Sequence, residues 1–343
     1  MKPIKVFAAF NNERNLRLSS SSGAIFSSLA ENVLKKKGVV YGVKMSDDCY
    51  FAEFTRVTDT DGLIPLRGSK YLQAKVGNAF KQVKKDLLLG KMVLFSGTGC
   101  QVNGLKKYLG KEYDNLLCVD VICHGVPSPA LWKKYAQYQE KKNDGKLENI
   151  NFRCKDDNWI DFGVKEVLNN ASKKKDKKLF IPKDKDPYMQ MFLRDYCLRP
   201  SCYNCVAKKV KTSDITIADF WGIENVYPKM NDGLGTSLAI VRTENGLKLF
   251  EEIKEQLNYV EVSYEDGVKC NLSEYKSVSR PIQRESFFVD MNNMDFDKLQ
   301  RKYTFSYKRA IKDKIKAILK MPTGGAKRRN MYDYGLLFLF KSR

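Results

Sequence analysis

The chain has 343 residues, 43% of them hydrophobic, with nine cysteines and a formal net charge of +21 at pH 7. That length buries a large core without covalent staples, so the cysteines do not read as the disulfide framework of a small secreted domain. No secretory leader opens MKPIKVFAAFNNER, and no apolar run approaches the roughly 20 residues of a membrane span; a cytoplasmic protein is the expectation.

In chain order, KVFAAF (5–10) reads as a strand. A Ser/Gly turn follows, then an amphipathic helix with Ile25, Leu29, Val33 and Leu34 on one side, stopped by Gly38. VVYGVKM (39–45) is the next strand, which makes the opening an α/β unit. Residues 68–91 read as helical with a break near Gly77. MVLFSG (92–97) is an apolar strand running into the Gly turn and helix of GTGCQVNGLKKYL. NLLCVDVICHG (115–125) is another apolar strand ending in a turn, and VPSPALWKKYAQYQEKK is a helix with proline near its start. From about 149 the pattern alternates as two strands joined by a polar turn. DITIADFWGI (214–223) and TSLAIVRT (236–243) are further strands, and NGLKLFEEIKEQL is a helix. The expected fold is therefore an α/β N-terminal part passing into a mixed α+β C-terminal part, with a cysteine-rich loop.

The basic charge is spread. KKKDKK (173–178) reads as a solvated loop, and residues 304–321 as a basic amphipathic helix suited to a partner or to peripheral membrane contact. Aromatics are not interleaved with arginine in a nucleic-acid-binding pattern, so nucleic acid is not an expected partner.

Chemistry concentrates in CLRPSCYNC. Cys197, Cys202 and Cys205 form C-x4-C-x2-C, a spacing that lets the chain wrap one metal centre. Thiolates select zinc or iron–sulfur, and the local spacing is closer to a ferredoxin than to a zinc ribbon. The fourth ligand must come from elsewhere: Cys123, Cys100, Cys118, Cys154, Cys270 or Cys49. Cys100 and Cys123 each follow an apolar strand in a Gly-containing turn, where open α/β sheets form their sites. His124, the chain's single histidine, sits beside Cys123 as a candidate cofactor contact or proton donor. SSSSG (19–23) and SGTG (96–99) lie at strand-to-helix turns that offer hydroxyls and N–H groups to a phosphate, or serve as plain helix caps. A dinucleotide across these loops beside clustered thiols suggests electron transfer between a cluster and a flavin.

SGTGCQVNGLKKYL (96–109), DVICHGVPSPALWKKY (120–135), CLRPSCYNC (197–205) and SDITIADFWGI (213–223), in this order, resemble the beta-subunit family of coenzyme F-420-reducing hydrogenases and formate dehydrogenases. LRLSSSSGAIFSSLAENVL resembles that family's N-terminal Ser-Gly motif, and the likeness covers about residues 4–280. The resemblance implies an oxidoreductase with FAD and a 4Fe–4S cluster, passing electrons between the cluster and a hydride-carrying small molecule. It implies an N-terminal domain over 1–90, a flavin and iron–sulfur domain over 91–280 and a basic helical tail over 281–343. It implies Cys123, Cys197, Cys202 and Cys205 as cluster ligands, with Cys100 as the rival for the fourth place. Ser20, Ser21, Ser22, Gly23, Thr98 and Gln101 would lie near the flavin, with Asp219, Thr236 and Ser237 in the same region. Two positions depart from the pattern: Gly99 stands where proline is expected, and Ala24 where a second glycine is. Many relatives carry a preceding ferredoxin-like segment that this sequence lacks, so a separate ferredoxin-like protein or a pyridine nucleotide is the expected donor. Relatives of the short kind also occur among surface-polysaccharide biosynthesis proteins, which makes a sugar-linked substrate the alternative to a deazaflavin. The rival readings are a non-catalytic zinc- or cluster-stabilised interaction module and a transferase acting on an anionic sugar.

Overall fold

The computed structural model describes residues 2–156, 158–169 and 176–305. The first half of the 173–178 run, and the 304–321 helix from residue 306 on, lie outside these residues. Met1–Thr304 form one compact unit.

In order, the chain forms β1 (Lys5–Asn11), α1 (Arg14–Leu18), α2 (Ile25–Lys35), β2 (Val39–Met45), β3 (Ala52–Val57), β4 (Ala74–Lys75), α3 (Ala79–Leu88), β5 (Val93–Thr98), α4 (Gly99–Leu109), β6 (Leu116–Val121) and α5 (Pro129–Asn143). It continues with β7 (Lys146–Cys154), β8 (Gly163–Asn169), β9 (Lys177–Pro182), α6 (Pro187–Leu193), β10 (Ile215–Asp219), α7 (Ile223–Val226), β11 (Ser237–Val241), α8 (Glu244–Ile253), β12 (Leu257–Glu261), α9 (Tyr264–Val268), α10 (Arg284–Asn293) and α11 (Phe296–Tyr303).

Nine strands make one mixed sheet in the order β12-β1-β11-β10-β6-β5-β2-β3-β4, so strands from both sides of residue 90 share it. β10, β6, β5 and β2 run parallel at its centre. These strands are near-continuous apolar runs because both faces are covered. Ile25, Leu29 and Val33 of α2, with Phe250 and Ile253 of α8, pack on one face. Val83 of α3, with Val102 and Leu105 of α4, packs on the other. Full burial of each such aliphatic side chain stabilises by about 1.5–3 kcal/mol. α2 ends as its sequence predicts: the Lys37 and Gly38 amides donate back to the Leu34 and Val33 carbonyls.

β7, β8 and β9 form a separate antiparallel sheet. Against it lies a third core of Trp132 and Tyr135 from α5, Phe152, Tyr188 and Phe192 from α6, and Phe287 from α10. The helix expected over 68–91 exists only from Ala79. Residues 67–75 are drawn instead to other partners: Ala74 pairs with Ala52, the Gln73 amide donates to the Pro127 carbonyl, and the Tyr188 hydroxyl donates to the Tyr71 carbonyl. The fold is thus mixed α/β with a large mixed sheet, coarser in its division than the two-part expectation.

Candidate functional site

The register of the sheet sets the site. Thr98 at the end of β5 pairs with Val121 at the end of β6, and Val121 pairs with Ile217 of β10. The turns carrying Cys100 and Cys123 therefore leave the same sheet edge, together with Asp219. β1 is antiparallel to β11, itself antiparallel to β10, so the end of β1 and the start of β11 reach that edge too. This is the carboxyl edge, where ligands bind in open α/β sheets.

A cavity of about 760 Å³ opens there, within the range of small-molecule sites. Ser20, Ser21, Ser22, Thr98, Gln101 and Asp219 line it, as do Ser237, Cys123 and His124. The serine hydroxyls are mostly committed: Ser20 donates to the Leu16 carbonyl (2.8 Å), Ser22 to the Thr236 carbonyl (2.8 Å), and Ser21 meets Ser69 (2.9 Å). Gly23 is set behind them. Its amide donates to Ser237 Oγ, and a Cβ there would stand 2.4 Å from the Ala9 carbonyl oxygen. Thr236 is buried, and its hydroxyl donates to the Met230 carbonyl rather than facing the cavity. Thr98 and Gln101 form a capping box at the start of α4, with Gln101 Oε1 accepting from the Thr98 amide (2.9 Å).

Of the two departures from the family pattern, only Gly99 has a packing reason. Ala24 caps α2 with φ +67°, the left-handed region that favours the expected glycine. At Gly99 a Cβ would lie 2.8 Å from Asp120 Oδ2 and 3.1 Å from the Ala207 Cβ, so this chain has no room there for a larger residue.

Cys123 lines the cavity and has three thiols among its charge neighbours. Cys100, Cys202 and Cys205 are the charge neighbours of Cys123, and burial pushes the Cys123 thiol up to about 12. Burial also raises Cys202, which accepts from the Val126 amide at 3.5 Å. Thr98 Oγ1 lies 3.2 Å from Cys100 Sγ, and the Cys205 amide donates to Ser277 Oγ. Lys208 donates to the Cys123 carbonyl and is drawn upward in pKa by Cys123 and Cys205, against the larger lowering by burial. Cys197 is fully buried in the core under α6 and α10, where Asp195 and Arg284 are its nearest influences of charge. Cys123 thus feels the charge of Cys100, Cys202 and Cys205, while Cys197 lies deeper, in the core. Among the described residues no three His, Cys, Asp or Glu side chains converge closely enough to hold a single metal ion.

His124 lines the cavity beside Cys123. Its Nε2 is 2.6 Å from Asp195 Oδ1, and its ring stands edge-on to Phe192 at 5.3 Å. Asp195 reaches it from a left-handed backbone position, φ +62°.

Arg153 and Lys70 also line the cavity, and no sequence motif singles them out. Arg153 is legible only as one residue of an alternating strand, and Lys70 as one of many lysines.

A sequence profile of the family described as the carboxyl-terminal part of the coenzyme F420 hydrogenase/dehydrogenase beta subunit matches residues 90–266. No curated protein matches. Among the solved chains that match is one from the F420-reducing [NiFe] hydrogenase complex of Methanosarcina barkeri, with a TM-score of 0.53 and 13% identity over 80% of this chain and 88% of that one. At that identity the likeness is one of fold, and it extends well beyond the profile match. The profile spans more than half of the sequence, and the chain belongs to the beta-subunit family of coenzyme F420 hydrogenases and dehydrogenases, a family of oxidoreductase subunits.

Proposed function

We propose that the protein is an iron–sulfur flavoprotein oxidoreductase that passes electrons between a 4Fe–4S cluster and a hydride-carrying small molecule through FAD. The observation that carries this reading is the meeting of a dinucleotide-sized cavity and a four-thiol group at Cys123 and His124. The donor set fits a cluster. Four thiolates on four separate irons stand farther apart than four around one zinc ion at about 2.3 Å, and neighbouring soft thiols suit iron–sulfur chemistry. When bound, a cluster supplies single-electron exchange and a flavin supplies both one- and two-electron steps.

The ligands in this reading are Cys100, Cys123, Cys202 and Cys205, with Cys197 a core residue. Thr98 orients Cys100, Lys208 offsets thiolate charge, and the Val126 amide tunes Cys202. His124, held by Asp195, holds or delivers a proton at the cavity wall. The M. barkeri chain belongs to a hydrogenase complex; a ferredoxin-like donor protein is the corresponding partner here, and a deazaflavin or a sugar-linked intermediate the substrate.

Anaerobic purification with iron, zinc and flavin counted on one sample tests this. About four irons and one flavin per chain are expected. Cys202→Ser should lose most of the iron, whereas Cys197→Ser should keep it. Zinc without flavin would overturn the redox reading, and iron loss in Cys197→Ser with retention in Cys100→Ser would restore the ligand set implied by resemblance.

A further inference from the structure

Two stretches of chain, 199–211 and 269–282, are clasped together beside the candidate ligands. The Cys205 amide donates to Ser277 Oγ at 3.0 Å, Lys208 to the Ser273 carbonyl, and Lys211 to the Glu274 carbonyl at 2.6 Å. Just past the second stretch, Arg284 donates to the Leu198 carbonyl at 2.9 Å and stands over the Tyr203 ring at 5.5 Å. The first stretch is also held to α4, the helix on which Cys100 lies. Asn103 Nδ2 donates to the Val210 carbonyl at 3.0 Å, and the Thr212 hydroxyl donates to Asn103 Oδ1 at 2.6 Å.

The side chains that these stretches leave in water are of two kinds. Val206 is 67% exposed and Ile282 96%, while Val210, Leu272 and Tyr275 are each about half exposed. Large apolar side chains gathered on touching segments differ from the single ones scattered over an ordinary surface. Arg199, Lys209, Lys269 and Lys276 are exposed as well. None of the four is in an ion pair among the described residues. The two stretches hold one acid, Glu274, and it is buried against Lys211 at 3.0 Å and Arg242 at 2.5 Å. Cys100 is exposed, and Cys202 and Cys205 are half-buried, so thiols reach the surface at the same place.

Exposed apolar side chains mixed with charged ones are the makings of a protein–protein interface. Charge selects the partner. A face with cations and no exposed acid attracts an acidic surface, and a second copy of itself across a two-fold axis would set like charges against each other. Surface thiols beside it give the contact a use that a lipid surface would not have.

We propose that residues 199–211 and 269–282 form the docking surface for an acidic one-electron carrier protein, whose carboxylates meet Arg199, Lys209, Lys269 and Lys276. The partner's redox character rests on the iron–sulfur reading; its acidity rests on this face alone.

The test is a binding titration of the full chain, as purified, with fluorescently labelled plant-type ferredoxin as the acidic probe. Iron and flavin are counted on the same sample. Binding should weaken as salt rises past about 0.1 M. Lys209→Glu/Lys276→Glu, changed at two exposed positions and checked by circular dichroism, should weaken it about tenfold or more. Lys35→Glu/Lys248→Glu makes the same change of charge on α2 and α8, across the sheet from α4, and should weaken it less than about threefold. No binding by a chain that holds iron and flavin, or equal loss in the two double variants, would overturn the proposal and leave the redox reading standing. Binding through Lys209 and Lys276 by a chain without iron or flavin would end the redox reading and keep the acidic partner. Anionic vesicles held through the same two lysines, with ferredoxin unbound, would overturn the proposal in favour of a membrane.

Discussion

Single residues decide whether the 20–22 loop can sit over the sheet. Gly23 is required by close approach rather than by its dihedral angles. A Cβ would meet the Ala9 carbonyl oxygen at 2.4 Å and the Ser237 amide nitrogen at 2.9 Å, both backbone atoms that cannot swing away. Gly23→Ala should therefore cost about 3 kcal/mol, the upper end for overpacking, and lower the melting temperature by several degrees. It should also weaken ligand binding, because Ser22 and Ser21 move with it. Unchanged melting with normal ligand content would show that the loop has slack. Lys37 is the opposite case. It is exposed, holds φ +60° and follows the last turn of α2, the place where glycine is favoured. Lys37→Gly should stabilise by about 0.5–1 kcal/mol in denaturant unfolding; a lower midpoint would contradict the assignment of strain there.

At the scale of elements, the clamp between α5, β8 and α6 is a buried cluster with a countable proton. The Tyr135 hydroxyl lies 2.7 Å from Glu166 Oε1 and 2.6 Å from Asp186 Oδ2, and accepts from Gln139 Nε2 at 2.9 Å. A phenol has one proton to give, so one of the two carboxyls must supply its own. Burial accordingly raises Glu166 to about 7 and Asp186 to about 6, with the Asp186 charge adding to Glu166. Because both folded values lie above the usual carboxylate range, the folded state holds protons that the unfolded chain releases. Stability from this cluster is present below about pH 4 and declines as pH rises through 6 to 7, at about 1.4 kcal/mol per pH unit for one proton. Glu166→Gln should flatten that decline between pH 5 and 8 in urea titrations; a slope equal to wild type would place the proton elsewhere. Nothing in the sequence announces this triad, since Tyr135 and Asp186 lie 51 residues apart on different elements. What was legible was local: the 3.6-residue repeat of α2, the apolar runs of β2, β5 and β6, and the turn residues after them. The site edge could be read because parallel strands put their following turns side by side. Arg153 could not, because its place depends on how the β7-β8-β9 sheet meets the large one. Spacing alone does not separate Cys197, sunk in the core, from Cys100 at the start of α4.

For the whole molecule, the concentration of positive charge at the C-terminal end of the sequence can be tested separately from the compact unit. Among the described residues, four buried clusters reach as far as Tyr303, and α11 closes the third core through Leu299 and Tyr303. The chain from Phe305 on carries eleven Lys or Arg against Asp313 and Asp333. If Met1–Thr304, one compact unit, folds by itself, truncation after Thr304 should leave the melting temperature, iron and flavin content near wild type while removing much of the positive charge. If that segment mediates contact with an anionic surface, the full chain should co-sediment with vesicles containing anionic lipid and the truncated chain should not. The attraction should fade as salt rises from about 0.05 to 0.5 M, since the screening length drops from roughly 14 to 4 Å over that range. Neutral vesicles serve as the control for apolar insertion, which salt would not reverse. Equal sedimentation of both chains would move the contact to the lysines of the compact unit, and no sedimentation of either would leave the basic segment to a protein partner, such as the electron donor that the cluster reading requires.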